Sequence, residues 1–465
     1  MIRIFSHYIP LNTLLVAIFE LALLAILVAL SVLVAAEFLG TKVNDSLVMT
    51  SVLLSLTIVF GMSALGLYSQ PGVEGWRGII FRLPAAMVLG VIVFIPFQVF
   101  YFDSPLIEAE VLGVALMLGF AVIVLERSLV LRFTRLSWLR PRVLVMGTGS
   151  RANVVERLTQ MDPRIRSFEL LGFVPVKEQD HSVPERFLLP WDEHETLEQL
   201  ARRYGATDIV VGIRERRGGG MPNSSLLECK LAGFRVTELS SFFEQQIGQI
   251  RLDSLNASWL IFGEGFRQNR LRTFNKRLFD IFASIGLLIV TLPIILLTAL
   301  LILVTMGRPI FYRQQRVGQS GKPYSILKFR SMRNNAEVNG TPQWAIKMDP
   351  RVTPVGRVIR KLRIDELPQI FNVLRGEMSF VGPRPERPEF VDELSRNIPY
   401  YDCRHSIKPG ITGWAQVRYP YGSSIDDAKE KLQYDLYYVK NHTLFLDCMI
   451  LLDTVQVVLI GKGAR

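Results

Sequence analysis

Four apolar runs fall within the first 125 residues: Leu11–Ala36, Leu47–Leu67, Leu83–Tyr101 and Val111–Leu125. Each is close to the ~20 residues an α-helix needs to cross a bilayer. The competing reading, core helices of a soluble protein, fits poorly with four such runs in so short a stretch. The first run is too long for a signal-peptide core and has no clear cleavage site after it, so it reads as retained. Mean hydropathy of +0.28 over 465 residues also excludes an ordinary soluble enzyme and a disordered scaffold.

Charge is divided unevenly along the chain. Residues 1–127 carry 5 basic and 8 acidic side chains, whereas the remainder carries a net +14. An apolar, faintly acidic anchor is thus joined to a basic body suited to anionic ligands. Arg3, Arg77, Arg82, Arg127, Arg132, Arg135, Arg140 and Arg142 fall on one side of the four runs. Glu37, Lys42, Asp45, Asp103 and Glu108 fall on the other. The positive-inside rule then places the N-terminus and everything after residue 127 in the cytoplasm. Glu20 is an isolated intramembrane acid and does not make a transport path. Cys229, Cys403 and Cys448 form no CxxC, which disfavours zinc and disulfides and fits a reducing compartment.

A fifth apolar run, Leu278–Met306, has Lys276 and Arg277 before it and Arg308, Arg313 and Arg316 after it, with Pro293 at its centre. Basic flanks at both ends contradict a simple crossing, and a central proline removes a backbone hydrogen bond. A helix that enters the cytoplasmic leaflet, bends at Pro293 and returns meets both facts. A kinked full span is the alternative.

Between these hydrophobic regions, residues 142–250 alternate strand and helix patterns. Expected strands are Val143–Met146, Phe168–Val176, Asp208–Val211 and Phe234–Leu239. Expected helices are Asn153–Gln160, His194–Tyr204 and Ser224–Ala232. This is a doubly wound, Rossmann-like pattern. Gly147-Thr-Gly149-Ser-Arg-Ala152 after the first strand makes Gly147 and Gly149 a candidate nucleotide turn. Plain helix–strand packing explains the same glycines, and the acids Glu178 and Asp180 lie too far on to be the usual ribose partner. Arg214–Gly220 reads as a mobile basic loop.

The densest chemistry lies beyond residue 308. Val355, Val358, Ile359 and Leu362 are spaced to bury one helical face, with Arg357, Arg360 and Lys361 opposite. Asp365 and Glu366 follow, then Leu367-Pro368-Gln369. Pro368 suits a first helical turn, which puts both carboxylates near a helix N-terminus, where dipole and cations favour ionisation. Capping alone accounts for many Asp-Glu pairs. Here Lys328-Phe-Arg330-Ser-Met332 upstream and Gly382-Pro383-Arg384-Pro385 downstream surround the pair with cations, as a site for metal and phosphates requires.

Six segments in order and spacing carry a resemblance over some 190 residues: Lys276-Arg-Leu-Phe-Asp280, Tyr312-Arg-Gln-Gln-Arg-Val-Gly318, Lys328–Met332, Asp365–Gln369, Gly382–Pro385 and Lys408-Pro-Gly-Ile-Thr-Gly413. This region resembles the bacterial sugar transferases, the monotopic phosphoglycosyl transferases. Four spans plus a Rossmann-like domain are similar to the long-form polyprenyl-phosphate hexose-1-phosphate transferases, and most of all to those of exopolysaccharide synthesis. The resemblance implies transfer of a sugar-1-phosphate from a UDP-sugar to undecaprenyl phosphate, with Mg²⁺ and release of UMP. It implies Asp365 as nucleophile, Glu366 as Mg²⁺ ligand, and Lys328, Arg360 and Arg384 as phosphate contacts. Arg330 is grouped with these as a substrate-binding candidate. It further implies a homodimer in the bacterial inner membrane, its catalytic domain on the cytoplasmic face, initiating exopolysaccharide, capsule or O-antigen repeat units. No nucleic-acid partner is expected. Thr291-Leu292-Pro293 departs from the family, which commonly has Ser directly before the kink proline.

The expected fold is therefore a multi-domain membrane protein. Residues 1–128 hold four transmembrane helices, 140–250 the Rossmann-like α/β domain and 251–272 a linker. Residues 273–465 form an α+β catalytic domain with a re-entrant helix at 276–306. Two rival readings are a membrane-anchored nucleotide-sugar dehydratase or epimerase and a non-catalytic assembly scaffold. Tyr324-Ser-Ile-Leu-Lys328 has the first rival's Tyr-x-x-x-Lys spacing but lies outside the Rossmann-like unit. The intact Asp365–Glu366 constellation argues against the second.

Overall fold

The computed structural model describes residues 2–4, 7–9, 11–39, 47–68, 75–101, 109–133, 141–161, 168–176, 182–192, 194–213, 222–254, 265–266, 269–333, 349–419, 422 and 424–460. Lys42, Asp45, Asp103, Glu108, Arg135, Arg140, Glu178, Asp180 and the Arg214–Gly220 loop lie outside these residues, as do the side chains of Arg3, Arg77 and Arg132. The chain divides into two compact units. The first extends to Gly248; the second begins at Gln249 and also takes in His7.

The first unit opens with helices α1 (Leu11–Leu39), α2 (Leu47–Ala64), α3 (Gly75–Tyr101) and α4 (Ala109–Phe133). All four contain segments long and apolar enough to cross a membrane. Their buried side chains form one cluster that includes Leu24, Leu54, Met62, Leu83, Phe94 and Ile123. Outward-facing Phe19, Phe38, Phe81 and Met117 stay exposed, as expected where lipid is the solvent. Helices α2 and α3 approach through Gly90, where an added Cβ would lie 2.6 Å from Ile58 Cα. Small residues permit such contact in membrane helices.

Glu20 is not isolated. Arg127 Nε and Nη2 donate to its carboxylate at 2.7 and 3.1 Å, and the Tyr68 hydroxyl donates at 2.5 Å. Arg127 Nη1 also reaches Leu67 O at 2.7 Å. Arg127, expected on the cytoplasmic flank, is buried with this partner among the helices. The spacing of 107 residues hid this pair.

A four-stranded parallel sheet completes the unit: β1 (Arg142–Met146), β2 (Glu169–Val174), β3 (Asp208–Val211) and β4 (Arg235–Glu238), in spatial order β2-β1-β3-β4. Val143 and Val145 join one core with Phe173 and Phe242, while Leu144 and Met146 join another with Leu200 and Leu226. Apolar side chains on both faces are what a strand covered by helices on both sides requires.

The second unit is built around helix α9 (Arg270–Met306), after α5–α8 of the sheet region (Ser150–Met161, Leu197–Arg203, Asn223–Leu231, Leu239–Ile247). Helix α9 is one continuous 37-residue helix with Pro293 inside it. Polar side chains in its first three turns anchor it. Lys276 Nζ pairs with Asp447 at 2.8 Å, Arg277 donates to Val373 O and Leu374 O, and Asp280 accepts from Ser379 Oγ and Phe380 N. Thr291 Oγ1 donates to Leu287 O at 2.7 Å, one turn back. The following turns expose Ile289, Val290, Leu297 and Val304.

Part of the expected linker 251–272 is core: Leu252 packs with Trp414, Tyr437 and Leu446, as does Ile250 just before it. Helix α9 also begins six residues earlier than the expected 276.

Candidate active site

An antiparallel hairpin, β5 (Phe311–Val317) and β6 (Pro323–Phe329), pairs Tyr312 with Lys328. Asn372 fixes this hairpin to the next segment: its Oδ1 accepts from Leu327 N and its Nδ2 donates to Ser325 O. Helix α10 (Pro354–Lys361) starts with Thr353 as N-cap, its side chain accepting from Gly356 N at 2.9 Å. A side chain at Gly356 would collide with the Ser331 carbonyl.

After Leu362, Arg363 takes a left-handed conformation, φ 58°. Such a conformation in a non-glycine residue costs on the order of 1 kcal/mol. The reversal delivers Asp365 and Glu366 into the first turn of a 3₁₀ helix, Ile364–Gln369, which runs into α11 (Ile370–Arg375). The carboxylates thus sit at a helix start, as the Leu-Pro-Gln context indicates.

Only part of α10's apolar stripe is buried. Ile359 packs with Phe329, Ile295 and Ile302, but Val358 and Leu362 are 57% and 55% exposed. The expectation of one buried face is corrected: the helix has eight residues and contacts the core along only part of the stripe.

Glu366 is clasped. Lys328 Nζ lies 3.1 Å from Oε1, Arg384 Nη2 3.0 Å from the same oxygen, and Arg363 Nη1 3.9 Å away. Burial alone would raise its pKa, but Lys328, then Arg384 and Arg363, outweigh burial and hold it far below the usual carboxylate range. Asp365 moves the other way: burial first, then the charge of Glu366, raises its pKa against the pull of Lys328, Arg360 and Arg363. Lys328 is itself pushed down by burial, then by the repulsion of Arg384, while Glu366 opposes. The expectation that both carboxylates are held ionised therefore splits. Glu366 is stabilised as an anion; Asp365 is the more basic of the pair, which suits a nucleophile.

A cavity of about 580 Å³ opens here, lined by Asp365, Lys328, Arg360, Arg384 and, outside the earlier candidates, Arg351 and Arg363. Arg384 is braced from behind. Arg404 Nη2 donates to its carbonyl at 2.8 Å, and the same guanidinium pairs with buried Asp435 at 2.8 Å. Sequence reasoning missed Arg363, Arg404 and Asp435. The last two are 31 residues apart and carry no local signal.

Arg330 lines the same cavity and also has a structural task. Its terminal nitrogens donate to the carbonyls of Met306, Gly307 and Arg308, satisfying the end of α9. Gly147 and Gly149 belong to the other unit. Gly147 has φ 109°, its N–H donates to Val174 O, and Thr148 O accepts from Ser182 N, so the turn is held by its own domain.

Among the described residues, no group of three or more His, Cys, Asp and Glu side chains is arranged to hold a metal ion. Mg²⁺, however, ordinarily takes one or two carboxylates and fills its shell with substrate phosphates and water. The Asp365–Glu366 pair beside a cation-rich cavity fits that mode of binding.

The paired carboxylates at a helix start, the cations around the cavity and the apolar helix α9 in the same unit make a site suited to an anionic ligand. The bacterial sugar transferase family profile matches residues 271–461. Over 265 residues the chain is 42% identical to the UDP-N-acetylgalactosamine-undecaprenyl-phosphate N-acetylgalactosaminephosphotransferase of Aeromonas hydrophila, covering 57% of this chain and 61% of that one. It is 43% identical to the uncharacterized sugar transferase EpsL of Bacillus subtilis over 190 residues, 41% of this chain and 90% of that relative. It is 39% identical over 243 residues to the undecaprenyl-phosphate galactose phosphotransferase of Salmonella typhimurium, 49% and 47% of the two chains. The matches to these two longer relatives, in Aeromonas and Salmonella, therefore span 61% and 47% of their length. This chain belongs to the bacterial sugar transferase family.

Proposed function

We propose that the protein transfers a sugar-1-phosphate from a UDP-sugar to undecaprenyl phosphate, initiating assembly of an exopolysaccharide, capsule or O-antigen repeat unit. The observation that carries this reading is the divided pair: Glu366 clasped by three cations, and Asp365 more basic and lining the cavity. The names of relatives, all specifying undecaprenyl-phosphate acceptors where they specify one, support the acceptor class.

In this mechanism a carboxylate oxygen of Asp365 attacks the phosphorus that bears the sugar. The bond from that phosphorus to the UMP oxygen breaks, and UMP leaves with the electron pair. A phosphate oxygen of the lipid then attacks the same phosphorus, breaking its bond to Asp365 and restoring the carboxylate. A covalent relay lets one cavity meet a soluble donor and a bilayer-bound acceptor in turn. Lys328, Arg360 and Arg384 stabilise charge on the phosphates. Mg²⁺ held at Glu366 would supply further neutralisation of the diphosphate.

The same reading makes α9 re-entrant at Pro293, with the catalytic unit on the cytoplasmic face of the inner membrane. Exposed Val358 and Leu362, on a helix packed against α9, support an interfacial position. Cysteines introduced at residues 275 and 309 should both be labelled only from the cytoplasm; labelling from the periplasm contradicts a re-entrant helix. A homodimer and a Rossmann-like role for the parallel sheet belong to the reading too. The deciding experiment offers a panel of UDP-sugars with undecaprenyl phosphate in nanodiscs and scores UMP release. Parallel double-reciprocal lines and a mass increment on Asp365 are expected. Intersecting lines with full activity in Asp365→Asn would establish direct transfer instead.

A further inference from the structure

His7 is separated by more than 350 residues from Asp365, yet it belongs to the second unit. Its side chain is 6% exposed. Nδ1 lies 2.8 Å from the Tyr437 hydroxyl, and its ring meets Trp414 edge-on, centroids 5.4 Å apart at 85°. Trp414 and Tyr437 stack at 5.8 Å, and Arg418 covers Trp414 at 4.2 Å while pairing with Asp453 at 3.3 Å. Burial, and then Arg418, lowers the His7 pKa to about 4, so the ring is neutral at physiological pH and adds no charge to this core.

The two residues that hold His7 are neighbours of the cavity wall. Trp414 is followed by Ala415 and Gln416, and Tyr437 stands two residues after Asp435; all three of these line the cavity. Trp414–Arg418 is a helix of five residues, too short to hold its place without tertiary support. We propose that His7 is a positioning residue for the catalytic cavity. By wedging against Trp414 and bonding Tyr437, it fixes the wall formed by Ala415, Gln416 and Asp435. The inference rests on the proposed transfer activity for its kinetic readout, but not for its structural one.

The test uses the full chain in nanodiscs. In His7→Ala, hydrogen exchange over Trp414–Arg418 should rise, and the donor KM should rise about three- to tenfold, the scale of one buried hydrogen bond, with kcat changed less. Free imidazole should restore both, and Tyr437→Phe, which removes only the bond, should reproduce a smaller part. Unchanged exchange in His7→Ala overturns the proposal whatever the activity. Increased exchange with wild-type KM and kcat overturns the positioning role. If the wild type releases no UMP from any donor, the proposed function fails, and exchange with imidazole rescue still decides the wedge. If His7→Ala does not fold, the Tyr437→Phe exchange and KM decide in its place.

Discussion

Two of the places where the protein buries carboxylates beside arginine differ in one respect. At Glu20, the carboxylate meets Arg127 and Tyr68, the acid and Arg127 are almost fully enclosed, and a second acid, Glu126, stands beside them. At Asp365 and Glu366, cations outnumber acids: Lys328, Arg384 and Arg363 gather on Glu366, Arg360 acts on Asp365, and a cavity opens alongside. A closed cluster whose one cation already faces two acids has nothing left to offer an anion. An open cluster with surplus positive charge needs an anion to complete it. That contrast separates a structural ion pair from a reactive one better than burial or pKa direction alone.

The sharpest way to break the comparison is Asp365→Asn. It keeps side-chain size and removes the nucleophile, so turnover should fall beyond detection while folding persists. The thermal transition should hold or rise, because a buried carboxylate with a raised pKa is one the fold does not favour in its charged form. UMP release and a melting curve on the same sample check both halves. Residual turnover near wild type would make Asp365 another structural acid, like Glu20.

Next in size is Arg384→Lys. Pro383 and Pro385 limit the backbone on either side, and Arg404 holds the carbonyl, so the guanidinium is presented in a fixed orientation. Lysine offers a single compact charge in place of a planar fork. A loss of about a hundredfold in kcat/KM is expected, with an unaltered melting temperature.

Glu20→Gln should show the opposite profile. Arg127 would stay buried without the carboxylate it is bonded to, with only Glu126 as an acidic neighbour, and breaking such a buried pair costs up to about 3–5 kcal/mol. Thermal stability should drop, whereas kcat per folded molecule should hold. Replacing the pair together, as Glu20→Leu with Arg127→Met, should recover most of the stability, because the cost lies in the orphaned charge. A fall in kcat that stability cannot explain would show that Glu20 is more than a strut.

The comparison also explains what a sequence of this kind discloses. Membrane helices, and strands covered on both faces, read as unbroken apolar runs, so α1–α4 and β1–β4 were readable from local pattern, with the largest displacements at the start of α3 and the end of α4. Asp365, Glu366, Lys328, Arg360 and Arg384 stand in compact motifs; the structure brings four of them to one cavity, with Glu366 behind its wall on Lys328 and Arg384. Pairings made by the folded topology left no such trace. Glu20 with Arg127, Arg404 with Asp435 and His7 with Tyr437 are separated by 107, 31 and 430 residues. The helix-closing task of Arg330 was hidden for a related reason: sequence does not show that a basic residue of this cavity also satisfies a helix end. Val358 and Leu362 kept the helical period but not its usual meaning, since a stripe can face a core or a bilayer.

The smallest expected effect is the most specific to the open site, and it concerns pH. Asp365 must be ionised to attack, so kcat/KM should rise with pH through its pKa and then level. Burial and Glu366 raise that pKa, while Lys328, Arg360 and Arg363 oppose the rise. Arg360→Gln removes one opposing cation, so Asp365 should be harder to ionise and the acid limb should move to higher pH. Glu366→Gln removes the neighbouring negative charge, so the limb should move to lower pH in whatever activity survives. Stability follows with its own signs. Glu366, depressed in the folded state, contributes stability that is present above its unfolded pKa and is lost as pH falls through the folded one. Asp365, raised in the folded state, contributes stability that is full below its unfolded pKa and is lost as pH rises through the folded one. The two therefore tilt the acid denaturation profile in opposite directions, and Asp365→Asn should leave only the Glu366 tilt. Rate profiles of the two variants decide the assignment. If both limbs stay where the wild type has them, the group that titrates is not Asp365, and the open cluster does not tune its nucleophile through its neighbours.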